Sequence, residues 1–271
     1  MNQTTASAPS RAKPPRRVPR LLTVKDARHI TPNMIRVTFA GPELAGIAPG
    51  CDGAHCKILL PANGQSKDAF AAQLKDGKRP TTRTYTVRHF RETGPEMDVD
   101  FVAHGEEGPA SAWALHARPG SFCGFAGPGS IKLTSFYADW YLLAADMSAL
   151  PVAAATLEAM PRDAEGIAVI EVQSEADRQD IAAPKGIDIR WLIQPDPHVP
   201  SEAQERLIRS LDWPAGVVQT CIAGESGVIR SLRAFLHNER RLPKEDTYIS
   251  GYWKIGLVED ERQKIKRAEA G

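Results

Sequence analysis

Arg83-Thr84-Tyr85-Thr86-Val87-Arg88 places fixed positive charge, a flat ring and hydroxyls within six consecutive residues. Thr, Tyr and Val dominate the stretch and Pro80 precedes it, which predicts a β-strand. Strand alternation then sends Arg83, Tyr85 and Val87 to one face and Thr84, Thr86 and Arg88 to the other. A second stretch runs Asp100-Phe101-Val102-Ala103-His104-Gly105-Glu106-Glu107-Gly108-Pro109-Ala110-Ser111. It leaves a strand, turns through two glycines and a proline, and enters a helical run over 110–115 whose first backbone N–H groups suit an anion. A guanidinium meets phosphate oxygens as a rigid fork. Together the two stretches suit a pyrophosphate that carries a flat ring system.

Those motifs, with Gly108-Pro109-Ala110-Ser111-x-Trp113-Ala114, Ala223-Gly224-Glu225 and Gly251-Tyr252-Trp253-Lys254, resemble the siderophore-interacting proteins, which are flavin-dependent ferric-siderophore reductases. The motifs fall in the family's order and span roughly residues 20–256. The resemblance implies an FAD site drawn from Arg83, Thr84, Tyr85, Thr86, Asp100, Val102, His104, Gly108, Ala110, Ser111 and Trp253. Arg83 is the expected phosphate ligand, with Tyr85 and Thr86 against the isoalloxazine and His104 at the flavin. Ala110 and Ser111 are expected to meet the pyrophosphate through backbone N–H groups and a hydroxyl. Trp113 reads equally well as core packing or cofactor contact.

The elements that must position these groups come in two textures. Short apolar runs over 21–24, 34–39 and 55–60, the Arg83 strand and a strand over 97–103 are separated by turn chemistry, and a polar segment around 75–78 shows no element of its own. This predicts an antiparallel barrel, which by resemblance is a flavin-binding barrel like that of the ferredoxin reductases. From about residue 136 apolar strands over 140–145, 166–172, 187–193, 217–223 and 248–250 are interspersed with helical runs over 152–160, 203–211 and 226–239. Strands apolar on both faces predict a parallel sheet covered by helices. The expected division is a flexible tail over 1–20, an FAD-binding barrel over 21–135, an NAD(P)H-binding α/β domain over 136–250, and a C-terminal segment over 251–271 that closes on the flavin site and carries a short charged helix at 259–267.

In the second domain, Asp146 and Ser148 follow the first parallel strand, where open α/β sheets bind ligands. The family has a similar pattern there, with Glu-Thr where this chain has Met147-Ser148; a plain strand-to-helix turn capped by Ser148 is the alternative. Ser174 and Arg178 follow the second strand and could hold a 2′-phosphate, whereas Glu175 or Asp177 between them would suit NAD and would have to turn away; the reading favours NADPH over NADH, with an ordinary charged loop as the alternative. Gly224 and Glu225 complete the expected nicotinamide site. Anionic ferric siderophores need cations near the flavin edge, and Lys57, Arg88 and Lys254 are the candidates.

The 271 residues fit two domains, and 42% hydrophobic content with 25% charge fits a soluble globular chain. A net charge of +1 argues neither for nor against nucleic acid, and the Pro- and Lys/Arg-rich N-terminus lacks the interleaved aromatics of a nucleic-acid arm. It also lacks the apolar core of a secretory signal, so a cytoplasmic location is expected. No run is long enough for a membrane helix. Four cysteines without a Cys-x2-Cys pair read as packed thiols, with no resident metal site expected. The expected function is electron transfer from NADPH or NADH through FAD to a ferric siderophore by a monomer, with a ferredoxin as an alternative donor. The rival readings are a siderophore-binding protein without turnover and a general NAD(P)H–flavin reductase serving a partner protein.

Overall fold

A computed structural model describes residues 18–257 apart from 107 and 132. The tail expected over 1–20 lies almost wholly outside the described residues, as does the charged helix expected at 259–267. Six strands close an antiparallel barrel: β1 (Arg20–Thr31), β2 (Met34–Ala40), β3 (His55–Leu60), β4 (Thr81–Arg91), β5 (Glu96–Val102) and β6 (Phe122–Ala126), in the spatial order β1-β2-β5-β4-β3-β6. Their inward residues, among them Val37, Phe39, Ile58, Val87, Val99, Phe101 and Phe125, are fully buried. Two helices interrupt the strands, α1 (Lys67–Lys75) before β4 and α2 (Pro109–Leu115) after β5. α1 is an addition to the elements expected from sequence. Ser66 caps it by accepting the Ala69 N–H, and Phe70 and Leu74, one turn apart, bury its inner face.

The second unit is a parallel sheet in the order β11-β10-β7-β8-β9, built from β7 (Trp140–Ala145), β8 (Glu165–Val172), β9 (Gly186–Ile193), β10 (Val218–Glu225) and β11 (Thr247–Trp253). Along β7, Leu143 and Ala145 face α3 (Leu150–Ala159), while Leu142 and Ala144 face the layer of α4 (Ala203–Arg209) and α5 (Ser226–Ala234). Burial on both faces explains the unbroken apolar runs. The helical run expected to reach residue 239 ends as α5 and continues as a π-helical turn over Phe235–Glu239. β11 extends to Trp253, past the expected boundary at 250.

The two units share buried surface. Met34, Ile30 and Val102 of the barrel pack into the sheet's core cluster. Asp177, on the crossover between β8 and β9, is fully buried and accepts the backbone N–H and side-chain amide of Asn33 at 2.9 and 2.8 Å, together with the Ser174 hydroxyl at 2.7 Å. Arg88 of β4 forms a two-pronged pair with Glu158 of α3 at 2.7 and 2.6 Å. Burial opposes the charge of Asp177, but the bonds from Ser174 and Asn33 outweigh it and hold the carboxyl below the ordinary carboxylate range. Asp177→Ala should therefore cost about 2–3 kcal/mol of unfolding free energy in a denaturant titration at neutral pH, the scale for hydrogen bonds to a charged group. Because the folded carboxyl sits below its unfolded value, this contribution is complete above about pH 4 and is lost as pH falls through the lowered value. The wild-type and variant stabilities should converge on acidification.

Candidate functional site

The barrel opens along one seam. β4 is laddered to β3 from Leu60↔Thr81 to His55↔Thr86, but its ladder to β5 begins only at Val87↔Val99. β5 meanwhile continues to Val102 in register with β2. Residues 83–86 and 100–102 therefore flank a seam at one end of the barrel. Cross-strand neighbours share a face, so the pairings Ile58↔Arg83 and Cys56↔Tyr85 put Arg83 and Tyr85 on the inward side with Val87, and Lys57↔Thr84 puts Thr84 outside. The Tyr85 ring lies 4.3 Å from that of Phe101 across the seam. Thr86 is buried, and outside the barrel Lys57 Nζ donates to Thr84 Oγ1. Arg83 is half-buried and donates to the Thr82 carbonyl at 3.0 Å.

The first turn of α2 borders this seam. Gly108 leads into it, Pro109 opens it, and Ala110 and Ser111 are buried beneath it. Ser111 Oγ accepts the His104 N–H at 3.1 Å, which fixes the end of the β5 loop on the helix. The exposed His104 ring lies over Gly108, where any Cβ would stand 2.5 Å from Cε1. A guanidinium, a flat aromatic wall and hydroxyls line the seam, with the α2 turn following directly on β5, and the residues present fit a flavin dinucleotide. The half-buried Trp113 ring packs on the core, 5.7 Å from Phe101 and 6.3 Å from Phe39.

Several expected site residues do other work. Asp100 is 4% exposed and its carboxylate is gripped by Arg36 at 2.7 and 2.8 Å, tying β2 to β5 rather than meeting a cofactor. Val102 turns into the cluster between the two units. Arg88, expected to greet an anionic substrate, is 4% exposed and held by Glu158, so it is corrected to an inter-unit clasp. Desolvating a guanidinium is unfavourable without such a partner. Lys57 and Lys254 remain at the surface, Lys254 immediately after Trp253.

At the carboxyl edge of the sheet, Asp146 Oδ1 accepts the Ser148 N–H, the Ser148 hydroxyl and the Ala149 N–H, and Oδ2 accepts the Trp253 indole N–H. Burial pushes its carboxyl up while the hydroxyl, indole and backbone donors pull it down, with a net rise. The turn before α3 is therefore capped by Asp146, not by Ser148, whose hydroxyl is a donor here. Glu225 caps α5 by accepting from Gly227 and Val228, and Gly224 lies against Asp146. Ser174 gives its hydroxyl to Asp177 and Arg178 pairs with Glu175 at 2.7 Å, so these two do not assemble as the phosphate clamp expected from sequence. The clasps of Asn33, Arg36 and Glu158 were missed from sequence, since each joins residues far apart along the chain.

Among the described residues, no three His, Cys, Asp or Glu side chains gather as a metal site, and no helix is long and apolar enough to cross a membrane. Comparison with known proteins matches residues 23–131 to the siderophore-interacting FAD-binding domain and 138–256 to the siderophore-interacting protein model. The ferric vibriobactin reductase ViuB of Vibrio cholerae is 35% identical over 251 residues, covering 89% of this chain and 92% of that protein. The NADPH-dependent ferric-chelate reductase of Escherichia coli is 27% identical over 246 residues, covering 86% and 92%. The crystal structure of the siderophore-interacting protein SipS from Aeromonas hydrophila superposes with a TM-score of 0.81 at 32% identity, covering 94% of this chain and 99% of that one. A flavohaemoglobin-like FAD/NAD-binding domain and a ferredoxin–NADP+ reductase, at 14% and 13% identity, share the fold alone. With both halves matched in order and the barrel seam built from the matched residues, the chain belongs to the siderophore-interacting protein family.

Proposed function

We propose that this protein is a flavin-dependent reductase that passes electrons from a reduced nicotinamide to iron(III) held by a siderophore, releasing iron as Fe(II). The observation that carries this is the seam between β4 and β5, lined by Arg83, Tyr85 and Thr86 with the α2 turn following directly on β5, in a chain whose relatives are named ferric-siderophore and ferric-chelate reductases. When bound, FAD accepts a hydride as a two-electron unit and can release electrons singly to a metal. The chain's own residues then have three tasks. Arg83 and the α2 turn hold the pyrophosphate, the Tyr85 and Trp253 rings flank the ring system, and Lys57 and Lys254 attract an anionic chelate. No side chain need act as acid or nucleophile at the iron, because a one-electron reduction of the metal forms and breaks no covalent bond to the protein. Hard oxygen ligands hold Fe(II) less tightly than Fe(III), so reduction itself frees the cargo.

The barrel over 21–135 would carry FAD, the sheet over 136–250 the nicotinamide, and the segment from 251 would close on the flavin. The name of the Escherichia coli relative supports NADPH as donor, in the cytoplasm where that coenzyme is kept reduced. The visible spectrum of the purified protein is the primary test: a yellow protein that bleaches with NADPH under anaerobic conditions and recovers on adding a ferric siderophore is expected. A colourless protein, or bleaching without recovery, would count against the proposal.

Arg83→Ala should weaken FAD binding by about 10- to 150-fold, corresponding to the roughly 1.5–3 kcal/mol of a hydrogen bond to a charged group. Titration of the variant with FAD checks it. Lys254→Ala should raise KM for an anionic ferric chelate at low salt and lose that penalty as ionic strength rises, while the rate of flavin reduction by NADPH stays unchanged. Stopped-flow measurement of the two half-reactions separates these effects.

A further inference from the structure

Asp146 follows β7 and Trp253 ends β11, with β10 lying between them in the sheet. The indole N–H of Trp253 nonetheless reaches Asp146 Oδ2 at 2.7 Å. It does so over Gly224, whose φ of 153° disfavours any side chain and where a Cβ would stand 2.7 Å from that same oxygen. The bond exists because the middle strand carries nothing above its backbone. The other oxygen of Asp146 takes three donors at 2.9, 2.6 and 3.2 Å, so the carboxylate cannot turn without breaking them. The Trp253 backbone is held as well, its carbonyl accepting the Ser226 hydroxyl at 2.6 Å. Its neighbour Tyr252 packs against the same inter-unit cluster as Val102, the last residue of β5.

We propose that Asp146 is a positioning residue for the flavin: through the indole N–H it fixes the plane of the Trp253 ring against the seam, and Gly224 keeps the path of that bond open. This rests on the flavin reading above. Three of the bonds to Asp146 hold the turn before α3 and the fourth comes from the indole, so the side chain it orients is the aromatic. An indole held before the ligand arrives does not have to be ordered during binding, which is a direct gain in affinity.

The test is a double-mutant cycle on the full chain with two readouts. In 15N–1H spectra of the protein as purified, the Trp253 indole N–H resonance should move in Asp146→Asn and in Gly224→Ala, which severs the same bond while keeping the carboxylate. FAD titration should show Asp146→Asn and Trp253→Phe each weakening binding by about 3- to 10-fold. The double variant should be no worse than Trp253→Phe alone, because the carboxylate acts through the indole. Gly224→Ala should match Asp146→Asn and serves in its place should that variant not fold. An unmoved indole resonance, or losses that multiply in the double variant, would overturn the assignment of Asp146 while leaving the flavin reading intact. Unchanged FAD affinity in Trp253→Phe would overturn the role given to the ring. A wild type that binds no FAD at all would overturn both, and the indole resonance would still report whether the bond forms.

Discussion

The geometry of this molecule depends on how the barrel is held against the sheet, and three different kinds of contact do that holding. Asp177 is a buried carboxylate whose acceptor positions are filled by Asn33 from the opposite unit, Arg88 reaches Glu158, and Met34, Ile30 and Val102 insert apolar side chains into the sheet's core. A buried ion pair is not in itself a strong source of stability, since desolvation opposes the Coulombic gain, but removing one partner is costly. Such contacts define a relative placement more than they stabilise it. That placement matters here because the seam belongs to the barrel while Trp253 and Asp146 belong to the sheet. In the proposed reaction a hydride would pass between groups held by the two sides, and a misplacement of about 1 Å between reacting atoms costs about 100-fold in rate.

The sequence was legible wherever information is local. The β4 strand, the turn through Gly105 and Gly108 into α2, and the apolar strands of the parallel sheet all follow from alternation, breakers and residue type over a few positions. α1 was the local exception, since its signal was a modest one: a Ser cap and the Phe70 and Leu74 pair within an otherwise polar stretch. The destinations of charged side chains were much less legible. Arg88 and Asp100 sit within the two motif stretches, yet their partners lie 70 and 64 residues away, and Asn33 and Asp177 are separated by 144. Nothing at positions 88 or 100 announces such a partner. A motif tells which residues stand together on a strand, and the fold decides which of them still face a ligand.

Ser174 and Arg178 make the same point from the other direction. Their chemistry suits a phosphate, but each is answered from within its own turn, by Asp177 and Glu175. The crossover there has no α-helix, only a 3-10 turn over Glu175–Asp177, and its Asp177 carboxylate is used for docking the two units.

The four cysteines complete the chemistry by abstaining from it. All are buried and free, and burial lifts Cys51 and Cys221 to about 11 and pushes Cys56 and Cys123 up as well. Nucleophilic attack, oxidation and soft-metal capture all proceed through the thiolate, a form these side chains scarcely populate at neutral pH. The proposed activity would bring a reduced flavin, molecular oxygen and newly ferrous iron to one surface, and so generate peroxide beside a metal that splits it into radicals. Thiols kept protonated inside the barrel and the sheet are neither its first targets nor a competing resting place for the iron.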